Sequence, residues 1–310
     1  MACEPGTDQP MPERERAAIQ SELSPGFVVA EPERLTSPLV FCSPHSGRIY
    51  PQYFLAQSRL DPHTLRKSED CYIDVLFACA PEYGAPLIAA QFPRAYLDVN
   101  REPYELDPSL FEERLPDYAN SKSSRVIGGL GTIARIVGDG AEIYARPLTL
   151  AAALTRIEGL YHPFHDALKK LVARSRNTFG QAILIDCHSM PSNSMTGISS
   201  RARPDIVLGD RFGKACDSIV MNFLQRAFHD LGYYVHINRP YAGGFITEHY
   251  GRPSSGIDAL QIEINRALYL NEHTLEPTAG FANLQSDIET VVARLVYELP
   301  ESLERPAAAE

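Results

Sequence analysis

The sequence predicts an α/β fold: a single domain built on one mixed, mostly parallel sheet with helices on both faces. Three observations carry that expectation. Short apolar or β-branched runs alternate with longer stretches of helical periodicity. No internal repeat and no Gly/Ser linker divides the chain. Polar, chemically capable residues are concentrated where apolar runs end, which is where open α/β sheets place their sites.

Taken in order, PLVFC predicts a strand at 38–42, and the pattern from about 62 to 83 predicts a helix. Strands follow at 86–91 (PLIAAQ) and 95–99 (AYLDV), then a helix over 149–176. The second half reads as strands at 181–187 and 205–208, a helix at 211–231, strands at 233–237 and 259–264, and a helix at 280–299. Residues 102–148 fit no period; their turn-forming residues and glycine cluster suit either a substrate loop or a structural excursion. Residues 1–22 and 301–310 lack apolar periodicity and are expected to be flexible tails around a domain at 23–300.

A chain of 310 residues with 44% hydrophobic and 22% charged residues can bury a large core. Its formal net charge of −10 argues against a nucleic-acid surface, which needs a basic stripe. No run approaches the roughly 18–20 apolar residues of a membrane span, and the first residues lack a basic and apolar leader. Six cysteines without CxxC spacing fit a reducing compartment, so a cytoplasmic location with no membrane partner is the expectation.

Two strand ends carry histidines. The run PLVFCS breaks into Pro44, His45, Ser46 and Gly47, and AILID gives way to Cys187, His188 and Ser189. Glu69 and Asp70 lie close to the apolar positions of the helix expected from residue 62, and about 100° around the axis separates them, so one of the two faces the histidines. Two imidazoles, one carboxylate and an open position form the donor set with which zinc activates water for amide hydrolysis. Glu263 interrupts the apolar strand ALQIEI on the face it shares with Gln261. A buried acid there is expensive to keep for structure alone, which makes Glu263 the candidate general base. In FPRAYLDVNRE, Asn100 and Arg101 suit a substrate carboxylate, with a salt bridge to Asp98 as the structural alternative.

With these segments assembled, the chain resembles the N-formylglutamate amidohydrolase family. The resemblance runs from about Pro38 to Glu272 and rests on SPHSGRIYP, SEDCYID, FPRAYLDVNRE, IDCHSMPS, GGFITEHYGRP and LQIEINRALYLNE in that order. It implies a zinc-carboxypeptidase-like fold and catalytic plan, with His45, Asp70 and His188 as Zn2+ ligands and Asp70 favoured over Glu69. It further implies Glu263 as base, Arg94 polarising the scissile carbonyl or binding substrate, and Asn100 with Arg101 gripping the carboxylate of a small anionic N-acyl amino acid. GGFITEHYG is expected either to line the pocket, with His249 on substrate, or to form a tight turn before a helix. The stretch EPYELDPSLF followed by GGLGTIAR departs from the family pattern, which leaves the acyl group and amino-acid side chain open.

The activity so implied is hydrolysis of N-formyl-L-glutamate to formate and L-glutamate. Three rivals remain at this level: a zinc carboxypeptidase or acylase acting on another N-acyl amino acid or a cell-wall peptide, a nucleophilic hydrolase using Cys187 or Ser189 with His188, and a non-catalytic metal-binding protein.

Overall fold

The computed structural model describes residues 10–138, 140–194 and 203–300. The chain runs through α1 (Met11–Glu22), β1 (Phe27–Ala30), β2 (Leu39–Ser43), α2 (Gln52–Gln57), α3 (Pro62–Arg66), α4 (Ile73–Leu76) and β3 (Leu87–Ala90). Next come α5 (Ser124–Ile127), α6 (Leu150–Arg156), α7 (His162–Phe179), β4 (Ala182–Met190), β5 (Ile206–Gly209) and α8 (Ser218–Asp230). The last elements are β6 (Val235–Ile237), α9 (Phe245–Tyr250), β7 (Ile257–Asn265), the short pair β8 (Leu270–Asn271) and β9 (Glu276–Pro277), and α10 (Gly280–Tyr297). The chain gathers into two compact units. The first gathers the segment up to Val28 with Gly47–Glu69 and Ala90–Ala167; the second gathers Val29–Ser46, Asp70–Ala89 and everything from Leu168 onward.

The second unit carries the sheet, whose strand order is β1-β3-β2-β4-β7-β5-β6. Strands β3, β2, β4 and β7 run parallel, and β5 turns antiparallel to β7 with β6 parallel to it. The central strands are buried on both sides, as their unbroken apolar runs require. Side chains alternate: Phe41, Ile183, Ile185, Leu260 and Ile262 join a core with residues of α4, α8 and α10 on one face. Leu184, Asp186, His188, Gln261 and Glu263 point to the other, where Thr247 of α9 reaches Asp186. Helices therefore cover both faces.

The first unit is built differently. Its α1 replaces the flexible tail expected before residue 22, because Ala18 is buried and Glu15 enters the interior to pair with Arg156. Arg156 stacks 4.1 Å over the Tyr96 ring and donates to the Tyr144 hydroxyl at 2.7 Å, while the Tyr96 hydroxyl donates to Glu15. Between α6 and α7 a π-helical turn at Ile157–Tyr161 places Gly159 where Ile19 of α1 presses, so a Cβ there would meet Ile19 at 3.2 Å. The aperiodic stretch at 102–148 is part of this unit's body, with Ile133, Val137 and Ile143 buried and Arg135 bonded to Asp107 at 2.8 Å.

Two expected elements differ. The segment at 95–99 forms turns instead of a strand: Tyr96 and Leu97 N–H groups donate to the Pro93 carbonyl, and the Asn100 N–H donates to Asp98 Oδ1 at 2.8 Å. Local side-chain bonding of this kind competes with a ladder. The single helix expected over 62–83 breaks into α3, α4 and a 3-10 turn at Ala80–Tyr83, with Tyr72 in the left-handed region at φ 62°. Residues 68–70 fall in the break.

Candidate metal centre

The break in the helix brings Asp70 to the two histidines. Asp70 leaves helical geometry by donating its N–H to the His45 carbonyl at 3.0 Å, which ties it to the chain just past the end of β2. Glu69 goes elsewhere: its carboxylate takes the Arg66 Nε–H at 3.0 Å. The alternative between the two acids is thereby decided by backbone placement. Gly47, two residues beyond His45, lets the chain turn against another strand of backbone, since a Cβ there would lie 2.1 Å from the Phe92 carbonyl oxygen.

His188 projects from the carboxyl-terminal part of β4, and β2 ends at the same edge of the sheet. The rings of His45 and His188 stand 4.8 Å apart between centroids, and Asp70 Oδ2 lies 2.9 Å from His188 Nδ1 and 3.4 Å from His45 Nδ1. All three residues are buried, and their donor atoms lie within 4.8 Å of one another. A tetrahedral ion with bonds of about 2.1 Å needs donors about 3.4 Å apart, so two imidazoles and a carboxylate at these separations fit a zinc-type ion.

Charge supports the fit. Burial alone would raise the Asp70 carboxyl, but hydrogen bonding to His188 and His45 holds it well below the usual carboxylate range. Burial likewise favours a neutral His188, and the carboxylates of Asp186, Asp70 and Glu263 together push it well above its ordinary value. Arg266 adds a cation, donating from NH2 to Asp70 Oδ1 at 3.1 Å and from Nε to Ser189 Oγ at 3.0 Å. Three acids crowd one imidazole, an arrangement a divalent cation would complete.

Asp186, which the sequence reading passed over, lies two residues before His188 on the same face of β4, and its Oδ1 is 2.9 Å from His188 Nε2. An ionised carboxylate only accepts, so it fixes the proton on Nε2 and aims Nδ1 at the cluster. The i, i+2 spacing in IDCH was the available signal. Glu263 sits on β7 directly opposite His188 in the ladder and accepts from Gln261 Nε2 at 2.8 Å.

The other predicted residues have contacts of their own. His249 is on the exposed side of α9, stacked on Phe245 at 4.9 Å, and burial with Arg252 and Lys169 lowers its pKa. Thr247, two residues earlier and so on the opposite side of the helix, is the member of GGFITEHYG that faces the site. In the first unit Arg94 donates to Asp98 Oδ2 at 2.8 Å, the structural alternative anticipated for that segment. Arg101 donates to the carbonyls of Leu130 and Asn100 at 2.8 and 2.7 Å; burial pushes its pKa down to about 10, which leaves it cationic at neutral pH.

The nucleophile alternative is not carried. Cys187 points into the opposite face, bonds its own strand at the Ile185 carbonyl, and burial raises its thiol well above the ordinary value. Ser189 donates to Asp70 Oδ1 at 3.4 Å and accepts from Arg266. None of the five cysteines among the described residues is in a disulfide, and no helix among those residues is long and apolar enough to cross a membrane.

A mostly parallel α/β sheet whose strand ends bring two imidazoles to a carboxylate, beside a strand-borne glutamate, makes a candidate metal site with the donor set of a metallohydrolase. A family profile described as N-formylglutamate amidohydrolase matches residues 37–270, and the chain belongs to that family. It is an amidohydrolase. The N-formylglutamate deformylases of Pseudomonas putida and Pseudomonas aeruginosa are 27% and 28% identical to it over 269 and 270 residues. Those alignments cover 84% and 86% of this chain and 92% of each relative. The crystal structure of N-formylglutamate amidohydrolase from Ralstonia eutropha JMP134 superposes with a TM-score of 0.84 at 36% identity, covering 89% of this chain and 99% of that one. The gene product Atu2144 from Agrobacterium tumefaciens shares the fold at a TM-score of 0.64 and 20% identity, over 90% and 96% of the two chains.

Proposed function

We propose that this chain hydrolyses N-formyl-L-glutamate to formate and L-glutamate with a Zn2+ ion held by His45, Asp70 and His188. The observation that carries the reading is the convergence of those three donors, with Glu263 in register with His188 on the neighbouring strand. The names of the similar proteins supply the substrate. A bound zinc ion would polarise the amide carbonyl and acidify a water molecule.

Glu263 accepts the water proton and passes it to the leaving amine as the C–N bond breaks, while Asp186 and Arg266 hold His188 and Asp70 in place. Arg94 is assigned to the developing oxyanion and Asn100 with Arg101 to the substrate carboxylate, on the match of FPRAYLDVNRE to the family and the affinity of guanidinium for carboxylate. His249 is not retained in a substrate role. The partner is thus a small anionic N-acyl amino acid.

The test is formate release from N-formyl-L-glutamate with and without a chelator, run beside a panel of N-formyl and N-acetyl amino acids. Chelator-sensitive release confined to the formylglutamate substrate is the expected result. Cleavage of other members of the panel in its place would favour the acylase or carboxypeptidase reading. Release that survives metal removal would sink the zinc role.

A further inference from the structure

The segment GGFIT at 243–247 is conspicuous in the sequence, and the reaction as described gives it no part. Its contacts are specific. Thr247, fully buried, donates from Oγ1 to Asp186 Oδ2 at 3.3 Å, and the other oxygen of that carboxylate holds His188 Nε2. Three residues earlier the Gly244 N–H donates to Gln261 Oε1 at 2.7 Å, and the amide nitrogen of the same side chain donates to Glu263 Oε1 at 2.8 Å. In the ladder Asp186 lies opposite Gln261 and His188 opposite Glu263, so two i, i+2 pairs run side by side beneath α9.

The segment is itself well anchored. Ala242 presses so closely on β5 that a Cβ at Gly209 would lie 2.7 Å from the Ala242 carbonyl carbon. Gly243 has a φ of 113°, and its carbonyl takes a bond from Arg211 NH1 at 3.3 Å. Gln261 is suited to its post by chemistry: it must accept from a backbone N–H and donate to a carboxylate, which an amide does and neither a carboxylate nor an alkyl group can do.

We propose that Thr247 and Gln261 are positioning residues, through which one rigid segment sets both the metal-facing edge of His188 and the orientation of Glu263. Thr247 acts through Asp186 on the imidazole; Gln261 restrains the carboxylate of Glu263 through Oε1. The Gln261 half rests on the role given to Glu263 above, and the Thr247 half only on His188 holding a metal.

The experiment uses the full chain with Thr247→Val, Thr247→Ser, Gln261→Glu and Gln261→Leu, together with Asp186→Asn and the Asp186→Asn/Thr247→Val double variant. Zinc affinity is read by competition with a chromophoric chelator, folding by thermal melting, and kcat and KM on whichever N-acyl amino acid the parent cleaves. Asp186→Asn is expected to weaken zinc binding about 10- to 100-fold. Thr247→Val should weaken it about fivefold, Thr247→Ser should restore it, and Thr247→Val should add nothing in the Asp186→Asn background, since the two act on one path. Gln261→Glu and Gln261→Leu should lower kcat at least about tenfold with KM and zinc affinity unchanged.

Thr247→Val with parental zinc affinity, or an additive double variant, overturns the Thr247 role; if Thr247→Val does not fold, a serine variant with weakened zinc binding does so instead. Gln261 variants that alter only melting temperature, or that lower zinc affinity in parallel with kcat, overturn the Gln261 role. A parent that binds zinc but cleaves no member of the panel removes the catalytic reading and Gln261's role with it, while the Thr247 half is still decided by affinity alone.

Discussion

In the proposed reaction Glu263 is the base. Its glutamine variant keeps the shape and the hydrogen-bonding capacity but cannot accept a proton at neutral pH. Glu263→Gln is expected to retain zinc, measured by elemental analysis, and to lose at least about 100-fold in kcat; near-parental turnover with metal bound would remove Glu263 from the role of base. His188→Ala should lose the metal itself, because it deletes the ligand and leaves Asp186 buried beside Asp70 and Glu263 without the imidazole that separates them. At this scale the histidines were legible from their position where apolar runs end, and so was Glu263 from its polar intrusion into ALQIEI. The choice of Asp70 over Glu69 was not legible from helical angles, because the segment is not helical there: Asp70 is fixed by a backbone bond to His45, a contact across 25 positions that no local pattern encodes.

At the scale of elements, α1 is held by a buried charge pair. Glu15→Ala leaves the fully buried Arg156 without its carboxylate partner, and should lower stability by about 3–5 kcal/mol in urea unfolding. A loss below about 1 kcal/mol would mean that α1 contributes little to the first unit. The amphipathic signal of α1 is weak because one of its two buried positions is a glutamate, which is why the sequence reads there as a tail.

The 3-10 turn at Pro108–Leu110 offers a pH test. Burial would raise Asp107, but the bonds from Ser109 and Arg135 hold it below the ordinary carboxylate value. A depressed folded-state pKa means stability that is present above the unfolded value of about 3.9 and is lost as pH falls through the folded value. Asp107→Asn keeps the cap but removes the charge facing Arg135, and is therefore expected to cost up to about 1 kcal/mol at neutral pH and progressively less in acid. A gap that stays constant between neutral pH and pH of about 3 would show that the carboxylate charge is not what matters.

For the whole molecule, a ligand that binds only the folded chain stabilises it by mass action. Zinc at about 100 times its dissociation constant should add about 2.7 kcal/mol, seen as a raised melting temperature that a chelator reverses. The same addition should leave His188→Ala unmoved, and an equal shift in that variant would place the ion elsewhere. Each of the two compact units is assembled from three stretches, and the chain passes from one to the other within β1, β3 and α7, so no linker composition marks the boundaries.

By itself the sequence determined the α/β class, the buried central strands, the strand-end histidines, Glu263 and membership in a family, because each depends on short-range periodicity or on motifs in a fixed order. Only the tertiary structure decided which acid joins the histidines, that Asp186 holds His188 and Gln261 holds Glu263, that His249 faces outward, and that α1 is part of the fold. The physical reason is common to all four. Ligand geometry and the satisfaction of buried charge depend on which strands lie side by side and where a helix breaks, and those are contacts between residues far apart in the chain.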